Sequence, residues 1–313
     1  MKRYPWSLIF ICTFVIVGLQ ISFEAKALTV APAIIEINSI PGQVVEQEII
    51  IANTSFEDKV YELSTLKFEA GDEIGTPSFL SYQEDHSGLP EWIDFPQWQI
   101  VVPAGGVVAT TASIAIPGSA KAGGYYAAII VTDPTVTNFG EVGVNVQVAS
   151  LVLLNVVGDV VEQAAILDFT TQDWTNRLPI DFQYRVQNQG NVHFKPQGTI
   201  SVRNMLGGEV VQIDANPDQG NVLPMSTRQL KSQWSRTVSD ELGFFGEVKN
   251  EWLNFALGRY GATIELSYSD TQDSVTATTS FWVFPWHLFL VAAAVVVLMV
   301  LISRIKITIR KNV

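Results

Sequence analysis

The sequence predicts an all-β protein with two tandem Ig-like β-sandwich domains and one C-terminal transmembrane helix. Three observations predict this fold. Short segments rich in Val, Ile, Thr, Tyr and Phe run from Leu28 to about Phe284 and are separated by Pro, Gly, Asn and Asp. One strand motif occurs twice, 135 residues apart, and a long uncharged apolar segment lies near the C-terminus. Many short strands without helical periodicity between them favour sandwiches over an α/β fold.

The first 27 residues have the pattern of a secretory signal peptide. Two basic residues precede the apolar run Leu8–Leu19, and Ala25-Lys26-Ala27 has the small-x-small spacing of a cleavage site. The run is too short to cross a bilayer as a helix. We expect cleavage after Ala27, and charged residues so close to that site leave an uncleaved anchor as the alternative.

Two domains of similar length follow, which we place at residues 28–158 and 159–280. The boundary falls at Gly158-Asp159, where a long and nearly uncharged strand region ends. No linker rich in Pro or Ser separates the domains, so we expect them to touch with limited hinge freedom. Ile49–Asn53 and Phe182–Asn188 resemble each other, because each reads as an early strand that ends at Asn before a turn.

The repeated motif G-x-Y-x-A-x-I-x-[VL] occurs at Gly123–Val131 and at Gly258–Leu266. The shared residues fall at alternate positions, so they should face one side of a strand in each copy. A Tyr near the start of a late strand is typical of the tyrosine corner of Ig-like sandwiches. We therefore assign Tyr125 and Tyr260 as structural corner residues, one in each domain.

The segment 281–303 has the properties of a transmembrane helix. It is free of formal charge, and at 1.5 Å per residue it reaches ~33 Å, enough for one crossing. Trp282 and Trp286 lie at its outer end, and the basic tail 304–313 follows it. The positive-inside rule then predicts a single-pass cell-membrane protein with an extracytoplasmic ectodomain and a cytoplasmic C-terminus.

Composition excludes several classes of function. Lys and Arg total 19 against 31 Asp and Glu, a net charge of −12, and without the signal peptide and tail the net charge is −18. Such an acidic ectodomain is unsuited to nucleic acid. One Cys and three His exclude a disulfide framework and leave little for a metal site. No nucleophile elbow, zincin motif or phosphate-binding loop is present, so we expect no enzyme activity, no cofactor and no metal.

The polar residues that could carry chemistry have simpler interpretations. His86 and His193 are better explained as loop or packing residues than as a base or a ligand, and His287 falls in the predicted span. The acidic residues Glu69, Asp72 and Glu73, and the pair Asp214 and Asp218, lack the spacing of a calcium loop and suit a solvated surface. Asn53-Thr54-Ser55 is formally a glycosylation acceptor, but a turn after a strand at the edge of a sheet explains it better.

Two irregular segments carry many aromatic residues. Residues 69–98 contain Phe79, Tyr82, Trp92 and Trp98, which are candidate ligand-binding residues if exposed and part of a lid over the first sandwich if buried. Residues 240–257 form a second apolar insert. Its apolar side chains could face a partner, the other domain or the nearby membrane.

The layout resembles the WxL-interacting proteins of bacterial cell surfaces. In the first domain the resemblance lies in Pro103-Ala104-Gly105-Gly106, the strand ending at Ile114-Ala115-Ile116-Pro117, and Gly123-Gly124-Tyr125. In the second it lies in Leu223–Arg228 and Gly258-Arg259-Tyr260. The resemblance implies a first domain that binds peptidoglycan and a second that binds a partner or host protein. It carries no individual binding residue onto this chain.

Two functions follow as hypotheses. The first is a non-catalytic, membrane-anchored surface protein that acts in adhesion or scaffolding by binding a cell-wall polymer or a secreted protein. The alternative is a membrane-tethered Ig-fold chaperone or assembly factor for surface structures, which donates strands to secreted subunits. The first expects a stable complex in wall extracts, and the second expects transient complexes with a client.

Overall fold

The computed structural model describes residues 28–139, 142–236, 243–268 and 273–311. They form two β-sandwiches in series and a long C-terminal helix, which confirms the predicted fold class. The predicted signal peptide, including Cys12, lies outside the described residues.

The first sandwich contains ten strands and one short helix. Its elements are β1 (Leu28–Ala31), β2 (Ile34–Ser39), β3 (Val44–Asn53), β4 (Lys59–Ala70), β5 (Pro77–Phe79), α1 (Leu89–Trp92), β6 (Ile93–Asp94), β7 (Gln99–Val102), β8 (Val107–Ala115), β9 (Gly123–Phe139) and β10 (Val142–Val156). One sheet has the order β1-β3-β8-β6. The other has the order β2-β10-β9-β4-β5, with β7 also paired to β4.

The second sandwich contains eight strands and one helix. Its elements are β11 (Ala164–Thr171), β12 (Trp174–Thr175), β13 (Ile180–Asn188), β14 (Gln197–Asn204), β15 (Glu209–Asp214), β16 (Thr227–Trp234), α2 (Phe244–Leu253), β17 (Gly258–Ser267) and β18 (Ser274–Val283). Its sheets have the orders β11-β13-β16 and β12-β18-β17-β14-β15.

Both domains begin with a strand that changes sheets. β1 pairs antiparallel with β3, and then β2 crosses to pair parallel with β10. In the second domain β11 pairs antiparallel with β13, and β12 crosses to pair parallel with β18. The crossing joins the two sheets of each sandwich at their edges. The point of crossing also determines which residues of the last strand, β10 or β18, are paired with β2 or β12.

The repeated motif forms the equivalent strand in each sandwich, β9 and β17. Ala127, Ile129 and Val131 are buried in the first core, as their counterparts Ala262, Ile264 and Leu266 are in the second. Alternate residues of a strand face the same side, so the period-two spacing follows from burial against the facing sheet. Both copies open on glycine because Gly123 and Gly258 have φ angles of 145° and 103°, which side chains disfavour.

The second sequence similarity corresponds to two buried asparagines that end β3 and β13. Asn53 is 1% exposed, and its Nδ2 donates to the carbonyls of Glu57, Val102 and Pro103 while its Oδ1 accepts from Ser55 N. An amide used in this way leaves no place for a glycan. The side chain therefore joins the end of β3 to the loop at Glu57 and to the end of β7.

Asn188 occupies the matching position in the second domain and is also 1% exposed. Its Nδ2 donates to the carbonyls of Val192 and Val222, at 2.8 and 3.0 Å, and its Oδ1 accepts from Gly190 N. A buried carbonyl without a donor is costly, so each asparagine stabilises the turn that follows its strand.

The C-terminal helix α3 (Trp286–Lys311) begins later than the sequence suggested. The predicted span started at residue 281, but Phe281 and Val283 belong to β18 and lie in the second core. Phe281 and Val283 face the core and Trp282 faces outward, which is the alternation of a strand. The alternation is not visible in the sequence, because all three residues are apolar and uncharged. The stretch Trp286–Arg304 has a mean hydropathy of 2.5, is almost wholly exposed and is roughly 28 Å long, so by length and composition it can cross a membrane.

Asn53→Ala and Asn188→Ala are each expected to lower the free energy of unfolding by about 1–3 kcal/mol, because buried carbonyls lose their donors. Urea unfolding followed by tryptophan fluorescence measures the change. Gln189→Ala is the matched control, since Gln189 is exposed beside Asn188. Unchanged midpoints in both asparagine variants would show that the turns do not depend on these amides.

Candidate functional site

The hairpin of β9 and β10 extends beyond the rest of the first sandwich. β4 pairs with β9 only as far as Thr132, and β2 pairs with β10 only from Leu151 onward. At the base of the extension, Lys59 forms an ion pair with Asp133 at 3.2 Å. Past this point the two strands pair with each other up to Phe139 and Val142. The extension is therefore a two-stranded ribbon at the end of the first domain farthest from the second.

β10 has a free edge before Leu151. Leu151 N donates to Ala33 O, so at Leu151 the backbone groups point away from β9 and toward β2. These directions alternate along a strand, and hence Gln147 and Ala149 present their N–H and C=O groups on the same side. Within the described residues no strand pairs with that side of β10 before Leu151. This free edge, Val142–Ala149, is available for pairing with another chain.

Valine occupies every second position along the free edge, from Val142 to Val148. Farther along the strand the same alternation places Val152 and Leu154 in the first core. Val148 packs partly against that core, whereas Val146 is 44% exposed. Val146 is thus exposed next to a partly buried residue of the same alternation, in the part of β10 that has no partner on its free side. An exposed apolar side chain beside free backbone groups is suited to the addition of a strand.

Polar contacts fix the two domains against each other. Glu36 on β2 accepts a hydrogen bond from Asn221 Nδ2 at 2.6 Å and pairs with Lys195 Nζ at 2.9 Å. Nearby, Tyr126 Oη lies 3.3 Å from His193 Nδ1. Backbone atoms also contribute, because Gly124 N donates to the carbonyl of Asn191 at 2.8 Å.

A second contact involves the turn between β4 and β5. Glu73 in this turn forms a bidentate ion pair with Arg185 of the second domain. Hydrogen bonds from Arg185 hold the pKa of Glu73 below its ordinary value. Asp72 beside it accepts from the backbone N atoms of Ile74 and Thr76, which shapes the turn. These acidic residues therefore serve the turn and the domain contact.

A cleft of about 150 Å³ lies between the domains. Its apolar wall includes Phe68, Leu153 and Leu223, and Phe68 and Leu153 form a small buried cluster on which Leu223 packs. Arg228 lines the cleft and donates to Asn221 O at 2.7 Å. Burial lowers the pKa of Arg228, although two nearby carboxylates oppose this effect. The apolar cluster and the polar contacts together hold the domains in one relative position.

The four candidate aromatic residues do not share one surface. Trp92 is half-buried on the first core and packs against Tyr125. The other three are exposed, and each contacts a different ring: Phe79 contacts Phe68, Tyr82 contacts His86, and Trp98 contacts Phe95. None of these described contacts joins two of the four candidates. Their role in binding a polymer therefore stays a prediction.

The two corner tyrosines differ in their contacts. Tyr125 Oη donates to the carbonyl of Lys121 at 3.0 Å, four residues upstream. Tyr260 is buried and stacks on Phe281 with centroids 5.7 Å apart, and it also contacts the ring of Trp234 edge-on. Both rings pack on the core of their own domain. Their shared role as corners stays a prediction.

Three of the remaining polar candidates make structural contacts. His193 lies at the domain contact, His287 pairs with Glu251 through Nδ1 at 2.6 Å, and Asp214 accepts from Asn216 N at 2.8 Å. In the part of the chain that the structure describes, no three His, Cys, Asp or Glu side chains are grouped to hold a metal ion.

Gln147 and Ala149 were not among the candidate residues that the sequence indicated. The alternating valines from Val142 to Val148 were the available signal, but they predicted only a long strand. Whether a strand is at an edge depends on the pairing of β2, which lies more than 100 residues earlier in the chain.

No protein-family profile matches this sequence, and no curated protein is detectably related to it. Solved structures that resemble the fold include a chain from the chaperone–tip adhesin complex of CFA/I fimbriae biogenesis, with 10% identity, a TM-score of 0.40, and coverage of 81% of this chain and 98% of that chain. The CupB2 chaperone of Pseudomonas aeruginosa has 10% identity, a TM-score of 0.35, and coverage of 81% and 100%. A chain from the CsuC–CsuE chaperone–tip adhesion subunit complex of Acinetobacter baumannii has 12% identity, a TM-score of 0.35, and coverage of 67% and 90%. These similarities are low and assign no function to this chain.

The domain contact is expected to loosen in two steps as the pH falls. Burial lowers the pKa of His193, so the contact favours neutral His193 and weakens below the ordinary value of 6.5. Burial alone would raise the pKa of Glu36, but its bonds with Asn221 and Lys195 outweigh this and lower it. The carboxylates Glu36 and Glu73 therefore weaken the contact when the pH falls below about 4.5, their ordinary value.

Fluorescence energy transfer between dyes on the two domains measures this loosening. The double variant Glu36→Gln/Glu73→Gln should lose the lower step and keep the step that begins near 6.5. Glu48→Gln is the control, because Glu48 is exposed on β3. A distance distribution that stays constant from neutral pH to pH 4 would contradict this account of the contact.

Proposed function

We propose that this protein is a membrane-tethered Ig-fold chaperone or assembly factor that holds a secreted or surface protein by strand pairing. The free edge of β10 carries the proposal. Its backbone groups at Gln147 and Ala149 have no partner strand in the described chain, and Val146 beside them is exposed. A strand of a client protein would extend the sheet that contains β9 and β10 by one strand.

The size of this edge suits a reversible complex. Gln147 and Ala149 offer two N–H and two C=O groups, and each hydrogen bond contributes about 1 kcal/mol net. A client strand that covers Val146 and Val148 adds about 1–2 kcal/mol of binding free energy for each valine. This is less than the value for burying a fully exposed valine, because neither side chain is fully exposed. Association itself costs several kcal/mol. The surplus supports a client that is held and later released.

The proposed tether is α3. Its apolar part can cross a membrane by length and composition, and nearly all of it is exposed. The basic residues of the tail begin at Arg304, which favours a cytoplasmic C-terminus. The hairpin lies at the end of the first domain, and the tether leaves the end of the second. A client would therefore be held away from the membrane.

A photoreactive amino acid in place of Gln147 should crosslink a secreted or surface protein in cells that express the full chain. The matched control is the same substitution at Gln212 on β15, which lies at the outer edge of the second domain's five-stranded sheet. Mass spectrometry identifies the crosslinked protein. Equal labelling at both positions, or recovery of wall polymer alone at 147, would contradict the proposal.

Gln147→Pro and Ala149→Pro should each reduce the amount of that client captured about tenfold, which corresponds to ~1.4 kcal/mol. Proline removes an N–H that faces the client and spares the pairing with β9, so thermal stability should be unchanged. Gln212→Pro is the control. Ala215 N donates to Gly198 O and so points toward β14. Because these directions alternate along a strand, the N–H of Gln212 points away from β14 and its loss should spare the sheet. Full capture by both β10 variants would exclude this edge as the binding site.

Protease added to intact spheroplasts should degrade the ectodomain and spare a tag placed after Val313. The reason is the basic tail, which favours the cytoplasmic side. Immunoblotting of the tag measures the outcome, and lysed spheroplasts serve as the control. Loss of the tag in intact spheroplasts would overturn the proposed orientation.

A further inference from the structure

The second domain is fixed to the start of α3 by a buried carboxylate. Glu251 on α2 is wholly buried and accepts hydrogen bonds from Leu288 N at 2.9 Å and from His287 Nδ1 at 2.6 Å. Asn176 Nδ2 reaches the same carboxylate at 3.3 Å. The first N–H groups of a helix lack partners within the helix and carry partial positive charge. Glu251 therefore caps the helix and ties it to the sandwich.

An ion pair holds α2 itself in place. Glu247 lies one turn before Glu251, and its two carboxylate oxygens accept from Arg177 Nε and Nη2 at 2.7 and 3.1 Å. Hydrogen bonds from Arg177 outweigh partial burial and lower the pKa of Glu247, so the pair stays charged at neutral pH. The two carboxylates of α2 thus fix the helix to the domain and to α3.

The other side of α2 carries large apolar residues that no part of the described chain covers. Phe245 is 81% exposed and Trp252 is 73% exposed. Together with three exposed aromatic residues nearby they form what we call the aromatic collar: Phe245, Trp252, Phe255, Trp282 and Trp286. These five residues come from α2, the loop after it, β18 and the first turn of α3. They are located where the chain leaves the second sandwich and enters the apolar helix.

A hairpin tip reaches the same end of the domain. β14 ends beside the start of β17, with Asn204 opposite Tyr260, and the turn to β15 exposes Leu206 almost completely. β18 also ends here, with Val283 opposite Gly258. Two separate segments therefore present apolar side chains around the origin of α3.

We propose that the aromatic collar and Leu206 lie in the interfacial layer of the lipid bilayer, so that the second domain rests on the membrane surface. The occupant is lipid because the collar is continuous with the apolar stretch Trp286–Arg304 and begins at its first turn. Trp and Phe are favoured at the boundary between headgroups and acyl chains. With a net charge of −18, the ectodomain gains nothing from anionic lipids, so apolar contact must hold it there.

This inference depends on the membrane tether but not on strand pairing by β10. It adds a fixed orientation, because α2 connects the collar rigidly to the second sandwich through Glu247 and Glu251. A domain held in this way does not swing freely on its anchor. Its first sandwich would point away from the bilayer.

The test uses the full chain reconstituted into vesicles of zwitterionic phosphatidylcholine. In a Cys12→Ser background, a fluorescent label sensitive to polarity is attached to Phe245→Cys or to Leu206→Cys. Phe56→Cys is the matched control, because Phe56 is 75% exposed at the far end of the first domain. Quenching is measured with lipids that carry a spin label near the top of the acyl chain, and separately with a quencher dissolved in water.

The labels at 245 and 206 should be quenched by the spin-labelled lipid at least about twofold more strongly than the label at 56. Replacing part of the zwitterionic lipid with anionic phosphatidylglycerol should not increase this quenching. A label at 245 that responds to the aqueous quencher as fully as the label at 56 would overturn the inference. Shielding from both quenchers would also overturn it, because the collar would then be covered by protein.

Extraction of the same vesicles with alkaline carbonate separates this inference from the tether. If the chain leaves the vesicles, the tether and the collar fail together. If the chain stays in the vesicles while the label at 245 remains in water, only the collar fails. The crosslinking result at Gln147 is independent of both outcomes.

Discussion

The first domain depends on the position at which the chain crosses from β1 in one sheet to β2 in the other. This position determines how much of β10 is covered by a partner strand. Pro32 and Ala33 separate β1 from β2, and both carbonyls are used at the crossing. Ser150 Oγ donates to Pro32 O at 2.6 Å, and Leu151 N donates to Ala33 O at 2.9 Å. After this point β10 is an interior strand of the sheet, and before it β10 is an edge strand. If β2 paired with β10 from a few residues before Leu151, it would cover the free edge.

The two domains share this construction but use it differently. In the first, the last strand extends past its covering partner and leaves an edge with exposed valine. In the second, β12 pairs with only Trp282 and Val283 of the last strand β18, and after Val283 the chain continues into α3. The buried asparagines Asn53 and Asn188 keep the equivalent turns in both copies. A common scaffold thus carries the two-stranded extension at one end and the apolar helix at the other.

Much of the fold could be predicted because it follows from local alternation. The repeat at Tyr125 and Tyr260 identifies equivalent strands, since residues at alternate positions must face the core. Helix α2 could not be predicted in this way, because its largest apolar residues, Phe245 and Trp252, face outward and give no core-facing stripe. The start of α3 was placed too early because Phe281 and Val283 are as apolar as the helix that follows.

The candidate site was harder to predict than the fold, because it is defined by a missing neighbour. A run of valines at alternate positions has the same sequence in an interior strand as in an edge strand. The ion pairs of Glu36 with Lys195 and of Glu73 with Arg185 join residues more than 100 positions apart. No spacing rule connects them, and only the three-dimensional arrangement of the two sandwiches does.

An open strand edge with an apolar row also has a cost for the protein that carries it. Two copies could pair edge to edge, and continued pairing of such edges is how sheets aggregate. Copies confined to one membrane surface meet more often than copies in free solution. The net charge of −18 opposes this encounter through mutual repulsion, which acts over roughly 8 Å at physiological ionic strength. The acidic surface therefore protects the solubility of the ectodomain, and it allows the hairpin to stay open without covering strands.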